Sequence, residues 1–514
     1  MLQESSIYRF VYMVSAYLGR NWDESLIVRF FKKCGLFFSI IFSGSTIIDF
    51  FKREGIFNRD FSNSAAFRFV DGLFNLPQRL LHPSYKRAEQ VFAESILFKV
   101  RLFLLKKLHL LVAGFIFIAL IVKHDSWNNL YSTIAMAILF LLYIMKTIVE
   151  GKTGLYLSIF NVFLMIFVVC VLLAEVFSIM PGSSLRFLAF YLTCFILVLL
   201  FMVSIRTKEE MSEVLAIILA GMTIGGLYGI YQKFMGVAVN ASWIDTKLNQ
   251  GSLSRVYAFF YNPNNFAEII VMFIPFYLAA FFNSKSLYKK LIYLAMAVPP
   301  FAALLLTQTR SAWIAFAVAG LVYVFFKEKR LIPVFLLLGV LAIPLLPQSI
   351  ILRIRTITNP EDTSSETRLA LYQTVLPILK DYWFTGLGLG NETLLRVSRN
   401  YYSFIDNGSI PSHSHNLYLQ IWLETGIAGI LSFLAFIGAT VKKSIRTICS
   451  SKDSYINNVL IAGLASLSGI FVIGIVEYVW FYQRVMLFFW VVTGIMLAAL
   501  CIRARLQEEQ DVAK

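Results

Sequence analysis

The stretch Pro411-Ser-His-Ser-His-Asn-Leu-Tyr-Leu-Gln-Ile-Trp-Leu-Glu-Thr-Gly-Ile-Ala-Gly429 puts a histidine and an asparagine where a polar loop enters a long apolar run. His415 and Asn416 are poor fillers for a lipid-facing surface. They are good groups for proton transfer and hydrogen bonding at a wet interface. Nine residues follow Asn416, then come Gly426 and Gly429. Three other polar blocks interrupt apolar sequence. One is Arg255-Val-Tyr-Ala-Phe-Phe-Tyr-Asn-Pro-Asn-Asn265 and another is Thr307-Gln-Thr-Arg-Ser-Ala-Trp313. The last joins Glu366-Thr-Arg368 to Asp381-Tyr-Trp-Phe-Thr-Gly-Leu-Gly-Leu-Gly390.

Each block also has a plainer reading. Arg368 has Glu361, Asp362 and Glu366 close by for an ion pair. Gly386, Gly388 and Gly390 lack the strand-then-helix context of a phosphate cradle and read as a turn. Gly426 and Gly429 read as positions of close helix packing. Glu424 should face the interior of a helix bundle, as a structural acid or as a support for the site. His413 and His415 stand two apart with no third ligand pattern, so no metal is expected. Trp383, Tyr401, Tyr402 and Trp422 suit stacking on sugar rings and equally suit anchoring at a membrane interface.

The elements that must position these residues are membrane helices. Only 15% of the 514 residues are charged and 58% are hydrophobic, against roughly 25% charged in soluble domains. The composition therefore predicts an all-α integral membrane protein. Twelve apolar runs approach the roughly 20 residues a crossing needs, near 108–122, 130–148, 155–179, 184–204, 212–235, 264–282, 290–306, 311–326, 330–346, 414–440, 457–478 and 485–502. If they alternate, basic residues such as Lys146, Arg206, Lys285, Lys327, Lys442 and Arg503 share one side, which the positive-inside rule makes cytoplasmic. All four polar blocks then fall on the opposite side, together with one large loop over 347–413. The net charge of +16 thus reads as topology, and no nucleic-acid-binding pattern competes with it.

Residues 1–105 form a distinct extension. Leu26–Phe51 is apolar but broken by Arg29, Lys32, Lys33 and Gly44, as in interfacial or docked amphipathic helices. The polytopic domain spans 106–505 and a cytoplasmic tail 506–514. Met1-Leu-Gln-Glu-Ser-Ser lacks the features of a cleavable signal peptide. Cys34, Cys170, Cys194, Cys449 and Cys501 lie outside the large loop and form no CxxC pair, which argues against a disulfide framework.

The His415 spacing resembles the signature of the O-antigen ligase and polymerase superfamily (the Wzy-C type): His, then Asn, Ser or Gln, nine residues, Gly, two residues, Gly. The other blocks resemble that superfamily in the same order, and the similarity covers roughly residues 205–500. The resemblance implies a GT-C-like membrane glycosyltransferase in the bacterial cytoplasmic (inner) membrane with its site facing outside. It would move a glycan from undecaprenyl diphosphate to a hydroxyl of a glycan, lipid or protein acceptor, without metal or cofactor and with inversion. His415 would then orient or deprotonate the acceptor. Arg310 and Arg368, with Arg255 behind them, would bind the diphosphate, because arginine's planar fork pairs phosphate oxygens. Asn416, Glu424, Gly426 and Gly429 would support the site, and other membrane proteins of polysaccharide assembly are implied partners. Many ligases have threonine directly after the second glycine, where this chain has Ile430. Ligase and polymerase both stay open. The rivals are a transporter or flippase of lipid-linked oligosaccharides, which should show repeats and mid-membrane ionisable residues, and a membrane scaffold.

Overall fold

The computed structural model describes residues 64–92, 94–156, 159, 161–237, 255–342, 351, 363–405 and 408–512. The reading of Leu26–Phe51 lies outside them. The described chain is 81% helical and has no strand. Eight of its helices are long and apolar enough to cross a membrane: α4 (Asn129–Glu150), α6 (Pro181–Ser204), α7 (Lys208–Phe234), α8 (Pro263–Asn283), α9 (Leu287–Leu306), α14 (Leu417–Ser450), α15 (Ser454–Ile473) and α16 (Gln483–Val512). A ninth is added if α2 (Ile96–Lys106) and α3 (Leu108–Ile121), bent by 69°, form one broken span. The remaining three of the twelve apolar runs also hold helices, but these are too short or not apolar enough to be counted as crossings: α5 (Val162–Val176), α10 (Arg310–Glu328) and α11 (Ile332–Ala342). α1 (Ala65–Phe92), α12 (Thr363–Tyr382) and α13 (Asn391–Ser398) lie outside those runs.

A helix that is apolar all round belongs inside a bundle, and α16 is one. It is buried from Arg484 to Ile502 and packs against α6, α15 and α8. α15 packs in turn on α10 and α8, while α9 keeps only Pro300, Ala303 and Leu304 buried. The apolar side chains exposed on such outer helices are what lipid contact requires. At one end of the bundle, Arg206 bonds Glu150 at 2.7 Å and Arg505 caps carbonyls at Met202 and Gly154. Arg505 lies roughly 30 Å along α16 from Arg484. Of the N-terminal extension, α1 docks on α4, where His82 meets the Ile148 carbonyl at 2.6 Å.

Local signals set the helix starts at the other end. Asn262 caps α8 by accepting from Asn265 N–H, with Pro263 in the first turn. Asn416 caps α14 by accepting from Leu419 N–H at 2.9 Å. Arg484 is 0% exposed and donates to the carbonyls of Ala119, Val122 and Phe259 and to Tyr482 OH. It thereby satisfies the end of α3 and fastens the 255–262 segment to α16.

Candidate active site

The centre of the cluster is Glu477, on the 474–482 segment between α15 and α16. Its Oε1 accepts from Arg368 Nη2 at 2.6 Å, and its Oε2 meets His415 Nδ1 at 3.0 Å. Asn264 Nδ2 reaches the same Oε1 at 3.5 Å. The Glu477 side chain is 12% exposed and that of His415 38%, so the acid is enclosed while the histidine opens outward. Burial pushes the Glu477 carboxyl up, but the hydrogen bond from His415 and the charges of Arg368 and His415 outweigh this and bring it down to about 2. An ionised Glu477 can only accept, so Nδ1 of His415 carries a proton, and in the neutral form of the ring the lone pair is then on Nε2.

The other blocks join through Asn264. Arg255 donates from Nη2 to Asn264 Oδ1 (2.9 Å) and Thr309 Oγ1 (3.1 Å), and from Nε to the Thr307 carbonyl (2.8 Å). Thr309 Oγ1 donates to Asn264 Oδ1 at 3.2 Å. Arg310 follows directly as the first residue of α10 and is half-buried. Arg255, Thr309, Asn264, Glu477, Arg368 and His415 therefore form one continuous network drawn from four separate blocks and the 474–482 segment.

Backbone strain collects at the same place. Among the described residues, the non-glycine positions with positive φ are Ala258 (48°), Gln308 (53°) and His415 (46°), one in each of three blocks. Such conformations cost about 1–2 kcal/mol each and persist where surrounding contacts impose them. Gln232 holds the Ala258 kink, accepting from Ala258 N–H at 2.8 Å and donating to its carbonyl at 3.2 Å. Around His415, Asn416 Nδ2 donates to the Ile475 carbonyl (2.8 Å), Leu417 N–H donates to that of Gly474 (2.8 Å), and Tyr372 OH to that of Ile475 (3.2 Å). Asn416 thus works twice, as helix cap and as tie to the segment carrying Glu477.

His413 lies against the site. Its ring is 4.2 Å from those of His415 and Phe481. Burial, reinforced by neighbouring His415, brings it down to about 3 and keeps it neutral.

The Gly386–Gly390 run is a turn. Its three glycines have φ of 74°, 101° and 92°, and Leu387 and Gly388 N–H donate to the carbonyls of Leu423 and Glu424. Those carbonyls are free because Gly426 breaks α14 with φ 69° and ψ −177°. The expectation that Gly426 and Gly429 allow close packing between helices is corrected here. A Cβ on Gly426 would stand 2.0 Å from the Phe384 carbonyl oxygen, so it meets the backbone of the turn. One on Gly429 would strike Thr425 Oγ1 of its own helix at 1.9 Å. Glu424 is buried in the bundle interior, 2% exposed.

Sequence reasoning missed Glu477. Its signal was an acid in the apolar string Ile475-Val-Glu-Tyr-Val-Trp480, which on a membrane helix points to function. The end of an apolar run hid it, and Arg368 was paired in expectation with acids close in sequence. It meets Glu477, 109 residues away.

Fold and site together define a multi-pass helical membrane protein with a His–Glu–Arg cluster at one end of its bundle. Residues 295–434 match the O-antigen ligase family, Wzy_C, which supports the O-antigen ligase/polymerase superfamily. The match covers Arg310, Arg368, His415, Asn416, Glu424, Gly426 and Gly429, while Arg255, Asn264 and Glu477 lie outside it. The family implies a lipid-linked glycan donor and a membrane context. No curated protein matches the chain.

Proposed function

We propose that this protein transfers a glycan from undecaprenyl diphosphate to an acceptor hydroxyl at the outer face of the cytoplasmic membrane, during cell-surface polysaccharide assembly. The observation that carries the reading is the Glu477 carboxylate shared between Arg368 and Nδ1 of His415. It leaves Nε2 of His415 as a base at an open, polar position, beside a cation suited to phosphate.

The acceptor oxygen attacks the anomeric carbon as the carbon–oxygen bond to the diphosphate breaks. The acceptor proton goes to His415 Nε2, and Glu477 steadies the imidazolium that forms. The bonding pair leaves with the diphosphate, whose charge Arg310 and Arg368 take up, with Arg255 in support. A single displacement from the face opposite the leaving group inverts the anomeric centre. The residues in these roles account for the chemistry without a metal.

A cavity of about 570 Å³ supports a lipid carrier. It starts at Asn416 and Tyr372, next to the site, and continues along α14 past Leu419, Trp422 and Ile430 to Leu434. Its apolar lining suits an isoprenoid chain whose head group lies at Arg368.

The test is release of polyprenyl diphosphate from a lipid-linked glycan by purified protein in EDTA. His415→Gln and Glu477→Gln should each lower turnover by about 100-fold or more while donor still binds. Arg310→Ala should weaken both turnover and donor binding. Wild-type protein that releases nothing with any acceptor, yet moves the lipid across vesicles, defeats the transferase reading.

A further inference from the structure

Beneath the His415–Glu477 pair lies a second polar cluster that the transfer chemistry does not touch. Glu424 accepts from Gln420 Nε2 (3.1 Å) and Tyr478 OH (3.0 Å) through Oε1, and from Tyr191 OH (3.1 Å) through Oε2. These donors come from α14, the 474–482 segment and α6.

Two of the three lead straight to the reacting pair. Gln420 Oε1 accepts from Ser414 N–H at 2.9 Å, one residue before His415. Tyr478 is the residue after Glu477. A staple between helices would account for Tyr191. It would not call for the remaining donors to adjoin the two halves of one hydrogen bond. His415 also sits at φ 46°, a conformation that needs holding.

The geometry points to Glu424, with Gln420 and Tyr478, as a positioning cluster that sets the 3.0 Å contact between His415 Nδ1 and Glu477 and so fixes the tautomer of the base. Gln420 carries the constraint to the histidine side, and Tyr478 carries it to the acid side. The inference rests on the reading of His415 as the base.

Two measurements on the full chain in nanodiscs test it. The first is ¹⁵N NMR of labelled histidine, with the His415 signal assigned by its loss in His415→Gln. Wild type should show the Nδ1–H form, and Gln420→Leu and Tyr478→Phe should each convert about a third or more to the other tautomer. An unchanged tautomer in both variants overturns the inference. The second is turnover. Gln420→Leu and Glu424→Leu should lower kcat by about tenfold with donor KM within about twofold. Glu424→Gln should keep about a third of it, because its amide oxygen still accepts and tyrosine hydroxyls can turn to accept from its NH₂. In a Glu477→Gln background, Gln420→Leu and Tyr478→Phe should lose less than about twofold more, since they act through the pair. Losses that multiply in full overturn the inference. Should Glu424→Leu not fold, Tyr478→Phe decides: a kcat loss of about threefold or more supports positioning, and none overturns it. A wild type without transfer overturns the base reading alone, because the tautomer measurement does not depend on turnover.

Discussion

Glu477 and His413 make the stability of this site depend on pH in a defined direction. Glu477 is held at about 2, below its ordinary 4.5, so its contribution is complete above about pH 4.5 and fades as pH falls toward 2. His413 is held neutral at about 3, below its ordinary 6.5. Burying it neutral becomes unfavourable as pH falls from 6.5, because the unfolded chain binds a proton that the folded one refuses. Both groups give a stability that rises with pH. Thermal unfolding in detergent should therefore show a lower midpoint at about pH 5 than at about pH 7.5. His413→Phe keeps the stack on Phe481 and removes the buried imidazole, so it should flatten that slope. A slope identical in both proteins would assign it to other groups. Around His413, burial sets this behaviour first; His415 adds to it, Glu477 opposes it, and Tyr478 is in ring contact.

The element on which the site depends most is the broken helix α14. A continuous helix would keep the carbonyls of Leu423 and Glu424 inside its own ladder, and the 386–390 turn would have nowhere to dock. Gly426 makes the break with a positive φ and lets the Phe384 carbonyl approach where a side chain would stand. Gly426→Ala should cost about 2 kcal/mol or more, combining left-handed strain with a backbone clash. Gly438, in the same helix, has nothing within 4 Å of a built Cβ. Gly438→Ala should be neutral or stabilising by up to about 1 kcal/mol. Comparing the two melting midpoints, with limited proteolysis around 383–390, tests whether Gly426 is a hinge of the fold. Equal midpoints would deny it that role.

At the scale of the whole molecule, the site is assembled across the matched region rather than within it. Arg310, Arg368 and His415 lie inside residues 295–434, while Arg255 and Asn264 precede it and Glu477 follows it. The bundle closes that gap by packing α15 against both α8 and α10. The cluster occupies the end opposite Arg206 and Arg505, and in the orientation proposed above that basic end is the cytoplasmic one. In a cysteine-free background, Gly408→Cys should react with a membrane-impermeant maleimide in intact spheroplasts. Lys452→Cys should react only after permeabilisation. The reverse pattern would turn the site to the cytoplasm and remove the outer-face reading.

The sequence by itself determined the class and singled out several of the residues that the fold brings together. Low charge and long apolar runs dictated membrane helices, because a chain with so few polar residues cannot cover its own surface in water. Asn262-Pro263 and His415-Asn416 stood in polar blocks at the entrances of the apolar runs near 264–282 and 414–440. Arg255, Arg310, Arg368 and His415 stood out as polar groups at membrane entrances. What tertiary structure alone decided was who meets whom. Glu477 could not be placed from its neighbours in sequence, since its partners Arg368 and His415 lie 109 and 62 residues away. The break at Gly426, the kinks at Ala258 and Gln308, and the buried ties to Glu424 followed the same rule. Each is a local conformation imposed by a contact from a distant segment, and local propensity carries no record of it.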